Sequence, residues 1–342
     1  MQLKAFIPIL NPLIISDDKK EKEFVKDTFH KMIQELSEDQ EYTFLLGEKT
    51  TKAELKIKET DEAFINRHHL SPPFRIQYCL FITVHINIDK YINKELEEHL
   101  VKEYNYTQEQ LLNTRINDVT HEFEKIINDF RIAVNIAFPG FFDIGAGYIF
   151  VDNKKYSYVK IESSYSFLLE SVLEAQKRKW PEISILNIKK TWEWLLKREN
   201  FVKAMSSNAI ERALSSFTYL FNSDNHEDLF YSLIGLEAIY TKGKQGISEQ
   251  LREKSIALFG EPENYKSSLS KMYDIRSKFI HGSLNFPSKY YIYDGLEQFD
   301  KFETQEYIQC LKISEALLVA TIQQFVIRDA ETLDYSLTIQ FK

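Results

Sequence analysis

An arginine and a histidine stand five residues apart where an apolar helical pattern ends, at Arg276 and His281. The guanidinium of arginine stays charged at physiological pH and can bind a phosphoryl group through two hydrogen bonds. The imidazole of histidine exchanges protons near neutral pH. A phosphate clamp beside a proton shuttle suits RNA cleavage without a metal, so we predict that these two residues are catalytic.

The residues around this pair resemble a known family. Residues 273–282 read Tyr-Asp-Ile-Arg-Ser-Lys-Phe-Ile-His-Gly, which resembles the arginine-and-histidine signature of HEPN domains in the Apea-like subgroup. About forty residues upstream, the Leu-Glu-Ala sequence at 236–238 is similar to the motif of that family's first core helix. The resemblance covers roughly residues 190 to 342 and does not extend to the first half of the chain.

The resemblance implies an endoribonuclease that leaves 2′,3′-cyclic phosphate and 5′-OH ends and needs no cofactor. It also implies a homodimer, because HEPN relatives generally build one cleft from the motifs of two protomers. Asp274 and Ser277 belong to the matched signature and are expected to support the site. Many active HEPN nucleases carry Asn, Asp or His where Ser277 stands, so the polar assistance expected from this position is weaker. The biological role implied is antiviral defence or growth arrest.

A third candidate residue, Glu237, follows from the apolar pattern of its own helix. Its position falls within the stripe formed by Leu229, Phe230, Leu233 and Ile234, and an unpaired carboxylate there would be costly. Arg276 projects from near the apolar side of its own helix. We therefore predict that Glu237 and Arg276 form an ion pair that holds the guanidinium, although such a pair could also serve the fold alone.

The spacing of Arg276 and His281 poses a geometric problem. Five residues on an ideal helix turn by roughly 140° beyond one full circle, so the two side chains do not share a face. Three solutions are open: the helix loosens before Gly282, the long arginine side chain reaches across, or a second copy of the chain completes the site. A histidine that closes a helix can also be a simple cap favoured by the helix dipole.

The length of 342 residues predicts two domains. We expect a mixed α+β domain over residues 1–188, which senses a trigger or recruits RNA, and an all-α HEPN bundle over residues 189–342. The first should contain a helix over 18–37, a central strand over 74–89, a helix over 107–138 and a hairpin around 152–154. The second should contain helices over 191–222, 225–241, 247–259, 263–281 and 300–328.

The charge distribution and composition favour a cytoplasmic, non-membrane protein. The net charge is −8, but eight basic residues meet five acidic ones between 242 and 278, so Lys242, Lys244, Lys271 and Lys278 could bind RNA or form a solvated helix face. Cys79 and Cys310 are far apart, which indicates a reducing compartment. No run approaches the ~20 apolar residues of a membrane span. The sequence predicts neither a metal cluster nor a cofactor motif.

Two further functions remain open. The HEPN bundle could be a non-catalytic dimer that acts as a scaffold or ligand-responsive switch, with a trigger or regulatory protein as its partner. Alternatively, the first domain could be the enzyme and the bundle only a platform for dimerisation. Of the remaining candidates, the loop histidines His68 and His69 lack further metal ligands. Aromatic residues could stack RNA bases or pack a core; these are Trp180, Trp192, Trp194, Tyr290, Tyr291 and Tyr293.

Overall fold

The computed structural model describes most of the chain. The described residues are 1–13, 17–38, 41–46, 49–67, 75–152, 154–161, 166–198, 201, 205–221, 227–243, 246–262, 266–283 and 305–335. They form two compact units, and each takes segments from more than one part of the chain. The N-terminal unit comprises Met1–Ser164 and Asn187–Leu196, and the helical unit comprises Tyr165–Leu186 and Lys197–Lys342.

The N-terminal unit is built on a six-stranded antiparallel sheet. Its strands are β1 (Gln2–Leu10), β2 (Glu41–Leu46), β3 (Lys49–Glu59), β4 (Ile76–His85), β5 (Gly147–Val151) and β6 (Lys154–Ile161). The order β2-β3-β4-β1-β5-β6 places β4 and β1 at the centre. Side chains alternate between the two faces, so Ala5 and Ile9 are buried on one face while Phe6 packs on the other.

Eleven helices are assigned among the described residues. They are α1 (Lys19–Ser37), α2 (Glu62–Arg67), α3 (Lys94–Tyr104), α4 (Gln108–Ala137), α5 (Leu168–Arg178), α6 (Ile188–Leu196), α7 (Ala209–Tyr219), α8 (Asp228–Tyr240), α9 (Ile247–Phe259), α10 (Lys266–Ile280) and α11 (Gln305–Arg328). Side-chain caps mark several of their starts. Asp18 accepts a hydrogen bond from the backbone of Lys20, and Thr107 forms a capping box with Gln110.

Helices α1, α4 and α6 cover one face of the sheet. Phe29 of α1 packs against Tyr78 of β4. The Trp192 indole of α6 donates a 2.8 Å hydrogen bond to the carbonyl of Thr43, and its ring lies 5.4 Å from that of Phe44. This buried anchor explains why α6 belongs to the N-terminal unit, although the preceding segment Tyr165–Leu186 belongs to the helical unit.

The helical unit is organised around α11, which contacts α5, α7, α8 and α10. Gly235 allows α8 to approach closely, because a Cβ at this position would lie 2.9 Å from Cδ1 of Leu318. The segment Tyr307–Arg328 is long and apolar enough to cross a membrane by length and composition, but 78% of its most apolar window is buried inside the protein. It therefore has the surroundings of a core helix.

The predicted succession of a mixed α and β region and a mostly helical region is confirmed at this level. The β5–β6 hairpin and the central β4 also agree with the sequence-based expectations. Strand β1 was not predicted. The expected helix over 191–222 is two helices, because the Asn208 side chain caps a new start at α7. The two units also cross the expected boundary at residue 188, since α5 packs on α11 while α6 packs in the N-terminal unit.

Candidate functional site

A glutamate, an arginine and a tyrosine from two helices meet in the helical unit. Glu237 lies on α8, and Tyr273 and Arg276 lie one turn apart on α10. The Arg276 guanidinium binds the carboxylate twice, with Nε 2.8 Å from Oε1 and Nη2 3.1 Å from Oε2. The Tyr273 hydroxyl donates a 2.8 Å hydrogen bond to Oε1. The predicted Glu237–Arg276 contact is thus confirmed, and we call these three residues the Glu237 cluster.

Apolar contacts hold α10 beside α8 in the register that the cluster needs. Met272 is completely buried, and the Phe279 ring stacks on Phe230 with their centroids 3.9 Å apart. Residues three and four apart lie on one face of a helix, so Met272, Arg276 and Phe279 all point towards the same neighbours. Because Phe279 meets Phe230 and Arg276 meets Glu237, the two helices run in opposite directions.

The cluster lies at the edge of the core rather than inside it. The side chains of Glu237 and Arg276 are 16% and 26% exposed, and Ile234, expected in the buried stripe, is 50% exposed. Burial, followed by the hydrogen bond to Glu237, raises the pKa of Tyr273 above its usual range, so this hydroxyl remains a donor. The guanidinium is therefore held in one orientation while part of its surface stays open to solvent.

His281 stands at the end of α10 in an exposed position. Gly282 adopts a left-handed conformation with φ of 69°. Its backbone N–H donates to the carbonyl of Phe279, and the N–H of Ser283 donates to that of Lys278. These two bonds form a Schellman motif, so Gly282 is the C-terminal cap of α10.

Arg276 and His281 are not brought together by any loosening of the helix. The α-helix is continuous through Ile280, and the His281 N–H still donates to the carbonyl of Ser277. The angular separation of roughly 140° expected for a regular helix therefore persists. Within one chain, the arginine is directed to α8 while the histidine leaves the helix in another direction.

The remaining predicted site residues surround the cluster loosely. Asp274, Ser277, Lys271 and Lys278 are exposed on α10. Lys242 forms a 3.3 Å ion pair with Asp334, and both side chains are largely exposed. Lys244 lies outside the described residues. The described basic residues near the motif are thus accessible to a solute.

Tyr273 was not assigned a role from the sequence. A signal was present, because Tyr273 precedes Arg276 by three residues and therefore lies on the same helical face. A tyrosine on a half-buried face normally needs a hydrogen-bond partner, and the carboxylate predicted opposite Arg276 is the nearest acceptor. The same reasoning that paired Glu237 with Arg276 could have added Tyr273.

Other candidates lie elsewhere. Trp180, Trp192 and Trp194 are buried, at 5%, 1% and 3% exposure, so they pack cores and are not open to a base. His68, His69 and the tyrosines at 290, 291 and 293 fall outside the described residues. Among the residues that the structure describes, no group of three or more His, Cys, Asp or Glu side chains could hold a metal ion.

The comparisons with known proteins add no relative. No family model, no curated protein and no solved structure matches the chain. We therefore infer function from the geometry of the site and from the residues of the motif.

Proposed function

We propose that the helical unit is an Apea-like HEPN domain and that the protein is a metal-independent endoribonuclease. The observation that carries this proposal is the arginine held by two hydrogen bonds in the Glu237 cluster, five residues before an exposed histidine at the end of the same helix. A fixed, permanently charged guanidinium can stabilise charge on a phosphate. An exposed imidazole can move protons near neutral pH.

The chemistry needs no redox step and no co-reactant. The imidazole of His281 accepts the proton of a ribose 2′-OH, or donates a proton to the departing 5′-oxygen. The 2′-oxygen bonds to phosphorus as the bond from phosphorus to the 5′-oxygen breaks. Arg276 stabilises the charge that develops on the phosphoryl oxygens. The products are a 2′,3′-cyclic phosphate and a 5′-OH end.

The separation of Arg276 and His281 on one helix favours a composite site made by two copies of the chain. Ile234 on α8 and Ile280 on α10 are 50% and 56% exposed, each one turn from a member of the Glu237 cluster. A second protomer that packs against α8 and α10 would cover both side chains. A two-fold arrangement could direct the arginine of one protomer and the histidine of the other at the same phosphate.

Light scattering should report about twice the chain mass of 40.4 kDa, and a strict monomer with and without RNA would exclude this arrangement.

The test is cleavage of RNA by the purified full-length protein in excess EDTA. Cleavage should persist, because proton transfer and charge stabilisation are assigned to side chains. His281→Ala should lose about 10²–10⁴-fold in rate, the usual contribution of one general acid or base. His121→Ala, which removes an exposed histidine on α4, is the matched control and should cleave like the parent. If EDTA silences the parent, or if His281→Ala cleaves at the parental rate, the assignment is wrong.

A second candidate function is favoured by the same cluster. Glu237 already occupies two donor positions of Arg276, as expected if the pair only holds α8 and α10 together. The protein would then be a non-catalytic HEPN dimer that acts as a scaffold or ligand-responsive switch. Toxicity on overexpression that disappears with His281→Ala would favour the nuclease, and equal growth with both proteins would favour the scaffold. For the nuclease, we propose a cytoplasmic role in antiviral defence or growth arrest.

A further inference from the structure

The sheet of the N-terminal unit carries an aromatic surface on the face opposite α1 and α4. Phe81 of β4 and the pair Tyr148 and Phe150 of β5 are half-buried there. They surround Phe6 of β1, which is 3% exposed and forms the floor. The Phe6 ring centroid lies 6.2 Å from that of Phe81, 5.3 Å from Tyr148 and 5.5 Å from Phe150. We call these four residues the aromatic face.

Lysines lie directly over this face. The ammonium nitrogens of Lys4 and Lys58 are 5.5 Å and 5.3 Å from the centroid of Phe81. Neither lysine has an ion-pair partner within the part of the chain that the structure describes. Both are on strands that neighbour β4, so the positive charges border the half-buried Phe81 ring from two sides.

The outward side chains of β3 add further lysines to this face, together with acidic partners. Lys52 pairs with Glu41, and Lys56 pairs with Glu54. Four lysines thus stand against Glu41 and Glu54 on this face, and the acidic residues Glu59 and Asp61 lie at its corner, so the positive charge is local to Lys4 and Lys58 over Phe81. Two lysines without an ion-pair partner among the described residues, placed over an aromatic ring, favour an anionic partner at that ring.

A cleft of about 400 Å³ opens beside Phe81 at the corner where α2 packs on the sheet. Its lining residues are Lys58, Glu59, Thr60, Asp61, Phe64 and Phe81. Phe64 and Phe81 meet edge to face with centroids 6.2 Å apart. The Thr60 hydroxyl is buried without a hydrogen-bond partner among the described residues, which leaves it available to a polar group of a ligand.

We propose that the aromatic face and this cleft bind single-stranded RNA. Bases stack on Phe81 and on the Tyr148 and Phe150 pair, the lysines contact phosphates, and the cleft receives one base edge beside Thr60. Strands β4 and β5 are separated by β1, so the two stacking positions are about 10 Å apart, which an extended dinucleotide can span. The choice of RNA over DNA depends on the proposed ribonuclease function, whereas the stacking surface itself does not.

A duplex or an acidic peptide explains these observations less well. The bases of a duplex are stacked on each other and cannot reach the rings. An acidic peptide would pair with the lysines but would not account for the aromatic rings or for the hydroxyl of Thr60. Single-stranded RNA combines anionic phosphates with flat, polar-edged bases and therefore matches all three features.

Binding is tested with the full-length protein carrying His281→Ala, so that a fluorescein-labelled single-stranded RNA is not consumed. Fluorescence anisotropy should show binding that weakens with salt. Adding Phe81→Ala should weaken binding about 5-fold to 100-fold, the range for loss of one stacked base. Lys58→Glu tests the same surface without removing a packed ring and should also weaken binding. Lys22→Ala, which removes an exposed lysine on α1 on the other side of the sheet, should bind like the parent.

Three outcomes would overturn the proposal in whole or in part. If Phe81→Ala and Lys58→Glu are folded by circular dichroism and bind RNA like the parent, the proposal is wrong. Equal affinity for a duplex RNA or for poly-glutamate would assign the lysines to general anion binding and would also overturn it. A DNA strand of the same sequence that binds more tightly than RNA would overturn the choice of RNA alone. Because cleavage by the parent is measured separately, failure of this surface and failure of the nuclease proposal are distinguishable.

Discussion

Glu237 on α8 and Glu315 on α11 belong to the same helical unit, and their carboxylates meet opposite surroundings. Glu237 is partly exposed and receives hydrogen bonds from Arg276 and Tyr273. Glu315 is completely buried, and its Oε2 accepts a 2.6 Å hydrogen bond from Ser171 of α5. Its Oε1 has no hydrogen-bond partner within the described residues.

The difference shows that a glutamate can either pair with an arginine at the edge of a core or lie fully buried within it. Glu237 is paired with Arg276 and lies within reach of solvent, so it can hold the guanidinium in one orientation at the edge of the core. Burial raises the pKa of Glu315 to about 7, and the nearest basic group, Lys312, is itself paired with Glu170. Glu315 thus favours its neutral form below pH 7, because the neutral acid avoids a buried charge.

The largest effect expected from this comparison is a pH-dependent change with Glu315→Gln. The pKa of Glu315 is raised from 4.5 in a free chain to about 7 when folded. Between these values the folded state keeps a proton that the unfolded state has lost, so the free energy of unfolding falls as the pH rises, by about 3 kcal/mol in total. Glutamine cannot ionise, so the variant should not show this fall. Relative to the parent, its free energy of unfolding should rise by about 3 kcal/mol between pH 4.5 and pH 8.

Urea unfolding across that pH range, followed by far-ultraviolet circular dichroism, measures the difference. Glu253→Gln, which changes an exposed carboxylate on α9, is the matched control and should give a curve parallel to that of the parent. A parallel curve for Glu315→Gln as well would show that Glu315 is charged inside the folded protein, and the contrast with Glu237 would disappear.

The next effect concerns the other glutamate. Arg276→Ala should lower the free energy of unfolding by about 2 kcal/mol, because it removes two hydrogen bonds to a charged, mostly buried carboxylate. The partial exposure of both groups keeps the loss below the value for a fully buried pair. Lys242→Ala breaks the exposed ion pair with Asp334 and should change stability by close to zero. Equal losses in the two variants would show that the Glu237 cluster is only a surface ion pair.

Local rules were sufficient for the pairing in the Glu237 cluster and for the end of α10. A carboxylate in an apolar stripe requires a partner, and a glycine after the last apolar residue ends a helix. The same rule applied to Glu315, which stands among apolar residues of α11, would have identified a buried acid. It could not have identified Ser171 as the partner, because that contact joins positions 144 residues apart.

Other features depend on long-range contacts that a local pattern does not contain. Strand β1 packs on both faces, so its side chains read as a continuous apolar run with a proline at position 8 instead of an alternating strand. The transfer of α6 to the N-terminal unit depends on Trp192 reaching the backbone of Thr43. The expected boundary near 188 depends on a local break in the sequence pattern, which carries no information about such anchors.

The smallest expected effect separates the two partners of Glu237. Tyr273→Phe removes one hydrogen bond and leaves the ring over which the Arg276 guanidinium lies, 5.8 Å from the centroid. The carboxylate keeps both bonds to Arg276 and some contact with solvent, so the free energy of unfolding should fall by only about 1 kcal/mol.

Tyr231→Phe is the matched control, since its ring stacks on Tyr219 and its hydroxyl has no hydrogen-bond partner among the described residues. Urea unfolding should leave Tyr231→Phe unchanged. If Tyr273→Phe is equally neutral, solvent replaces the tyrosine at the edge of the core, and Arg276 alone distinguishes Glu237 from an exposed glutamate.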